Sequence, residues 1–271
     1  NLLLQLIAYC SVEPKGIILA PTPCFALYAL IAGLVDGLLK EVPFPERFVY
    51  EERIWIEAIE KHNPSLVFLC TPNNPTGSFM SKRSVEAVVK VSKGLVVVDE
   101  AYREFAGEDC RDLLPKYKNL ILIRTFSKAF SAAGIRLGYL LAHPEIAEQI
   151  GKAVPPFNVN VLTATAAEVF LENPQVVQQR VNFILKERER IIQEIGKLPG
   201  VKVFPTRANF FLLETKLQSE DLAERFARLG IAVRVLKGPG LEKCIRVNVG
   251  TEEENDRFLD GLKEILKESI K

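Results

Sequence analysis

Leu66-Val67-Phe68-Leu69-Cys70-Thr71-Pro72-Asn73-Asn74-Pro75-Thr76-Gly77 begins with five apolar residues and stops in a turn rich in Asn, Pro and Gly. A strand-length run that is apolar at every position, rather than at alternate ones, has no solvent face. It belongs to a parallel sheet covered on both sides. The pattern recurs at Leu95-Val96-Val97-Val98, closed by Asp99-Glu100, and at Leu120-Ile121-Leu122-Ile123. Between the first two runs, Ser81 stands as an N-cap before Val85, Val88, Val89 and Val91 at helical spacing. Upstream, Ile17-Ile18-Leu19 passes through Pro21-Thr22-Pro23 into a helical pattern over 25–32. Strands alternating with helices predict an α/β fold with a large, mostly parallel, helix-covered sheet.

The second half differs in texture. After Pro155-Pro156, helical patterns cover 162–171 and 175–198, the latter carrying the charge run Lys186-Glu187-Arg188-Glu189-Arg190, which reads as a solvated face. Strand-like segments at 201–204, 210–213, 231–235 and 245–249 then interleave with helices over 219–229 and 252–267. This predicts two domains, a large one over residues 1–170 and a smaller C-terminal α+β domain over 171–271.

Thirty-five Lys and Arg against 34 Asp and Glu leave a net charge of +1, so no global field favours nucleic acid or an anionic membrane. No apolar run approaches the ~20 residues of a membrane span. The opening residues 2–7 lack the basic flank of a secretion signal. Five scattered cysteines without a C-x-x-C pair point to a reduced, cytoplasmic protein with mostly buried thiols. With two distant histidines, His62 and His143, zinc-type spacing is absent, no metal is expected, and a His-based catalytic triad is disfavoured. The polar chemistry falls to Lys, Arg, Asp, Asn and Tyr.

Three such residues come after the three apolar runs: Asn74, Asp99 and Lys128, spaced 25 and 29 residues apart. Each alone has a plain structural reading, as a turn Asn-Pro, a helix cap and a surface lysine. In phase on parallel strands, they emerge together at the carboxyl edge of one sheet, where open α/β sheets bind ligands. Arg124-Thr125-Phe126-Ser127-Lys128 sets the lysine among hydroxyls, and Arg136 lies eight residues on. Hydroxyls and a cation suit an anchored phosphate beside an amine whose pKa is held down, so that it is neutral enough to form an imine. Asp99, leaving a buried strand, needs a cationic partner, and a pyridinium nitrogen serves. Together these demands describe a pyridoxal phosphate site.

Thr71–Gly77, Val98-Asp99-Glu100-Ala101-Tyr102 and Ser127-Lys128…Arg136 resemble the signature set of the fold-type I, class I/II pyridoxal-phosphate-dependent aminotransferases. Within that group the chain is most similar to the histidinol-phosphate aminotransferases. The similarity rests on Arg124–Phe130 running into Ala133-Gly134-Ile135-Arg136-Leu137-Gly138-Tyr139, on Pro155-Pro156-Phe157-Asn158-Val159-Asn160, and on Cys244-Ile245-Arg246-Val247-Asn248-Val249-Gly250-Thr251. The resemblance implies that Lys128 holds the cofactor as a Schiff base and then acts as general base. It implies that Asp99 keeps the ring nitrogen protonated, and that Asn74 and Tyr102 donate to the ring oxygen. Thr125, Ser127 and Arg136 would bind the phosphate, and Phe25 would stack on the ring, although a core Phe fits that position equally. Arg246 would grip the acidic end of the substrate and Arg234 its phosphate. Asn209 is expected to be structural.

The implied reaction is transfer of the amino group of histidinol phosphate to 2-oxoglutarate, in histidine biosynthesis, by a cytoplasmic homodimer. Alternatives are a threonine-phosphate decarboxylase-like lyase, a broader aromatic or alanine aminotransferase, and an inactive fragment. Relatives of this family carry an N-terminal arm and a Gly-Ser turn ahead of the helix that opens here at Asn1, so the chain is expected to be truncated at its N-terminus.

Overall fold

The computed structural model describes residues 1–45 and 48–268. The first part of the chain runs α1 (Leu2–Ser11), β1 (Ile17–Thr22), α2 (Leu27–Leu34), β2 (Leu38–Pro43), α3 (Glu52–His62), β3 (Leu66–Cys70), α4 (Lys82–Val91) and β4 (Leu95–Asp99). It continues with β5 (Leu120–Thr125), β6 (Gly138–Ala142), α5 (Pro144–Lys152) and α6 (Val161–Glu172). The strands form a six-stranded sheet in the order β2-β1-β3-β4-β5-β6. All neighbours are parallel except β6, which lies antiparallel to β5 at the edge.

Alternate residues of the central strands feed two cores. Phe68, Val97 and Ile121 pack on one face with Ile7 of α1 and Ile31 of α2. Val67, Leu69, Val96, Val98 and Leu122 pack on the other with Trp55 and Ile59 of α3 and Val85 and Val88 of α4. Each full burial of such a side chain contributes about 1.5–3 kcal/mol, so the two faces together hold the sheet between its helices. The Ser81 hydroxyl accepts the Ser84 amide at 3.2 Å, as its N-cap position requires. Asn1 occupies the N-cap of α1 but makes no side-chain capping bond.

The remaining chain comprises α7 (Pro174–Ile195), β7 (Lys202–Val203), β8 (Phe210–Glu214), α8 (Ser219–Arg228), β9 (Arg234–Val235), β10 (Cys244–Asn248) and α9 (Glu252–Glu268). A second, antiparallel sheet is ordered β7-β8-β10-β9. Phe211, Leu213, Ile245 and Val247 pack under α7, α8 and α9. The charge run on α7 departs from the expectation of a solvated face, because Glu187 is buried. Its Oε2 accepts Arg190 Nη2 at 2.8 Å and Asn255 Nδ2 at 2.9 Å, which ties α7 to α9 and offsets the desolvation of the carboxylate. A further apolar cluster, containing Tyr102, Phe126, Phe130, Val177, Val181 and Phe210, joins the two sheets.

Candidate active site

The central strands end level. Cys70 is in register with Asp99, and Asp99 with Ile123, so the segments beyond these strands leave the sheet at one edge. The turn after β3 is held by Asn73, whose side-chain amide donates to Pro23 O at 3.1 Å and Thr76 Oγ1 at 2.8 Å. Gly77 closes that turn at φ +78°, and a Cβ there would lie 2.2 Å from Thr206 Oγ1, so only glycine fits against the segment leading to β8. With Asn73 engaged in the turn, Asn74 is the residue left to project.

Beyond the strand ends lies a cavity of about 340 Å³. Phe25, Asn74, Asp99, Tyr102, Thr125, Ser127, Lys128 and Arg136 all line it, together with Asn1, Leu3 and Leu4 at the start of α1. Asp99 is buried, its Oδ2 accepting the Tyr28 hydroxyl at 2.9 Å and its Oδ1 the Ala101 amide at 3.1 Å. Burial pushes its carboxyl pKa above the ordinary value, against those two hydrogen bonds and the charge of Lys128. Among the described residues, no cationic side chain lies within ion-pair distance of it.

Lys128 Nζ sits 5.3 Å from the centre of the Tyr102 ring. The cavity walls strip water from its amine, and the Arg246 and Arg136 guanidiniums disfavour a further proton. The pKa is therefore lowered, with Asp99 opposing. Burial raises the Tyr102 phenol well above its usual value, so it stays a donor. Thr125 Oγ1 donates to Leu137 O at 3.2 Å and accepts the Ser127 amide at 3.1 Å. That bond curls the chain directly after β5 and turns Ser127 and Lys128 inward. Arg136, at φ +56°, donates to Ala133 O at 2.7 Å.

Arg246 and Arg234 stand apart from these residues, on the small sheet. They are register partners on β10 and β9. Arg246 is half-buried and reaches the rim of the cavity, where Nη1 donates to Asn74 Oδ1 at 2.6 Å while the guanidinium lies 5.0 Å from the centre of the Phe210 ring. Its Nε is buried without a hydrogen-bond partner. Arg234 is exposed and does not line the cavity. The Asn209 carbonyl accepts the Val249 amide at 3.0 Å, between β8 and β10. Tyr28 is a site residue that sequence reasoning misses; its contact with Asp99 spans 71 residues and leaves no local signal.

A buried carboxylate without a cation, facing an amine of lowered pKa, fits the cationic ring and aldehyde of pyridoxal phosphate. The hydroxyls of Thr125 and Ser127 and the charge of Arg136 fit its phosphate. This site, on a mostly parallel sheet with an antiparallel sheet beside it, defines a pyridoxal-phosphate enzyme of fold type I.

The chain belongs to the class I and II aminotransferases, whose family model matches residues 1–262. It is 39% identical to a histidinol-phosphate aminotransferase of Thermoanaerobacter pseudethanolicus over 265 residues, which cover 97% of this chain and 75% of that protein. The crystal structure of histidinol-phosphate aminotransferase from Sinorhizobium meliloti in complex with pyridoxal-5'-phosphate superimposes with a TM-score of 0.90 at 26% identity, covering 99% of this chain and 75% of that one. An L-threonine-O-3-phosphate decarboxylase from Porphyromonas gingivalis shares the fold, with a TM-score of 0.83 at 22% identity over 98% of this chain and 81% of that one. The protein is a pyridoxal-phosphate-dependent aminotransferase. No helix among the described residues is long and apolar enough to cross a membrane.

Proposed function

We propose that the enzyme transfers the amino group of histidinol phosphate to 2-oxoglutarate, yielding imidazole-acetol phosphate and glutamate in histidine biosynthesis. The observation that carries the reading is Lys128 and the cation-free Asp99 facing one cavity, with Arg246 at its rim. The named relatives support the choice of substrate. The cofactor supplies an aldehyde that condenses with amines and a ring that accepts the electrons of a carbanion. Lys128 would provide the amine for that aldehyde, and its lowered pKa suits it to take the proton from the substrate α-carbon. Asp99 would accept the hydrogen bond of the ring nitrogen, while Asn74 Nδ2 and the Tyr102 hydroxyl would donate toward the ring oxygen. Thr125, Ser127 and Arg136 would hold the phosphate, and Phe25 would cover one ring face. Arg246 binds the anionic end of each substrate, and Arg234 adds a second cation for a phosphate.

The same reading takes residues 1–170 and 171–271 as two domains, and the active form as a cytoplasmic homodimer. Five free cysteines support the compartment. The exposed Phe157, Val161 and Leu162 support a second copy against that face. The test is glutamate formation from histidinol phosphate and 2-oxoglutarate, with borohydride trapping of the cofactor at Lys128. Lys128→Ala is expected to reduce turnover by at least about a thousandfold, because it removes both the amine and the base, and to leave the melting temperature nearly unchanged. Turnover of this variant at the parental rate rejects the mechanism, and carbon dioxide release from threonine phosphate in place of glutamate formation rejects the substrate.

A further inference from the structure

Asp99 is held by one side chain. The hydroxyl of Tyr28, on α2, donates to its Oδ2 at 2.9 Å, and the Ala101 amide takes the other oxygen at 3.1 Å. Tyr28 has no freedom to leave. Its side chain is fully buried, its ring stacks on Phe68 at 4.5 Å between centroids and 8° between planes, and Phe25 meets its edge at 5.9 Å. The phenol is therefore a fixed donor, and burial beside a carboxylate pushes its own pKa far up, so it stays protonated.

The titratable and charged groups around the carboxylate come from every packed element. Cys24 and Tyr28 approach from around α2, Tyr50 from the segment ahead of α3, Cys70 from β3, Tyr102 from the segment after β4, and Lys128 from beyond β5. Burial raises the pKa of Cys24, Tyr28, Tyr50 and Tyr102, so these weak acids stay protonated. Lys128 is the amine that changes bonding and protonation state during the reaction. Tyr28 alone among side chains of the described residues both touches Asp99 and remains in place when Lys128 changes state.

We propose that Tyr28 is a positioning residue that aims Asp99 at the cavity and keeps it ionised over the pH range in which the ring nitrogen must hold its proton. The inference rests on Asp99 serving the cofactor ring. A hydrogen bond to the charged form of a buried acid opposes the burial that would neutralise it. A merely structural Tyr28 would act through its ring, and a phenylalanine would replace it without consequence.

Tyr28→Phe keeps the ring, the stacking and the edge contact, and deletes the donor. In cofactor-free protein carrying 13C-labelled aspartate, the Asp99 carboxyl resonance, identified by its loss in Asp99→Asn, is expected to titrate at higher pH in Tyr28→Phe than in the parent. Pyridoxal phosphate affinity, followed by cofactor absorbance between pH 5.5 and 8.5, is expected to fall about tenfold at the acid end, the effect of roughly one pH unit. The difference should shrink toward the alkaline end, where the carboxyl is ionised in both proteins. In an Asp99→Asn background, deleting the Tyr28 hydroxyl should leave affinity unchanged. An unshifted titration, or an affinity loss independent of pH and of Asp99, overturns the proposal. Should the parent bind no pyridoxal phosphate, the cofactor reading fails while the titration still decides the role of Tyr28.

Discussion

Glu100 turns to the back of the large sheet, where Arg124 Nε donates to it at 2.7 Å and the Cys110 amide adds a second bond at 2.9 Å. Asp99, one residue earlier, turns to the cavity and meets only a phenol and a single amide. Both carboxylates are buried, and burial raises both pKa values. The back of β4 resolves its charge within the fold; the front leaves its charge for something that arrives later. Adjacent acids of equal burial thus divide into one that maintains the structure and one that the structure maintains.

That division can be broken by exchanging what each acid loses. Asp99→Asn is expected to cut transamination by about a hundredfold or more, in line with the loss of one electrostatic partner in an active site. It should not lower the melting temperature at neutral pH. The sign comes from the raised carboxyl pKa: the folded state holds that proton more tightly than the unfolded chain, so stability falls as pH climbs from the ordinary carboxylate range through the raised value. The asparagine removes this slope, and a variant that melts well below the parent at pH 7 contradicts the division. Glu100→Gln is expected to do the reverse. Leaving the buried Arg124 with Asp109, 3.5 Å away, as its remaining carboxylate partner should cost about 3 kcal/mol in a denaturant titration, whereas joint replacement of Glu100 and Arg124 by apolar residues should cost much less.

A smaller effect sharpens the front of the site. Arg246 lowers the Lys128 pKa, so Arg246→Ala should raise it and shift the pH profile of cofactor attachment at Lys128 to higher pH, slowing the reaction near neutrality. The same variant should raise KM for both acidic substrates; an unmoved profile removes Arg246 from the electrostatics of the cavity. Smallest of all, Arg234→Ala should raise KM for histidinol phosphate by no more than about fivefold, as expected of an exposed charge. It should leave 2-oxoglutarate almost untouched, and equal losses for the two substrates would count against a phosphate role.

The strands at 66–70, 95–99 and 120–125 are legible in the sequence because total burial of a parallel strand leaves an uninterrupted apolar run. Their phase places Asn74, Asp99 and Lys128 at one edge, and the register brings them to one cavity in three dimensions. Edge elements carry no such mark. β2 is mostly exposed, and Lys40-Glu41 interrupts its apolar residues, while β6 is half-buried along most of its length, so its antiparallel pairing is silent. The segments at 231–235 and 201–204 shrink to the two-residue strands β9 and β7, since short sheet edges pair little. Tyr28 and the Glu100–Arg124 pair are invisible for another reason: each is a contact between distant positions, with nothing in local spacing to announce it. Glu187 misleads because a charged stretch looks wet until a partner helix covers it.

α7 runs 22 residues without interruption. Val177 and Val181 near its start belong to the cluster beneath Tyr102, Ile191 and Ile195 near its end belong to the core of the small sheet, and Ile184 touches both. The helix is therefore a beam built into two rooms. Heat that loosens either core must bend or free the same beam, so the two cores are expected to melt in one transition, with damage to the far one felt beneath Lys128.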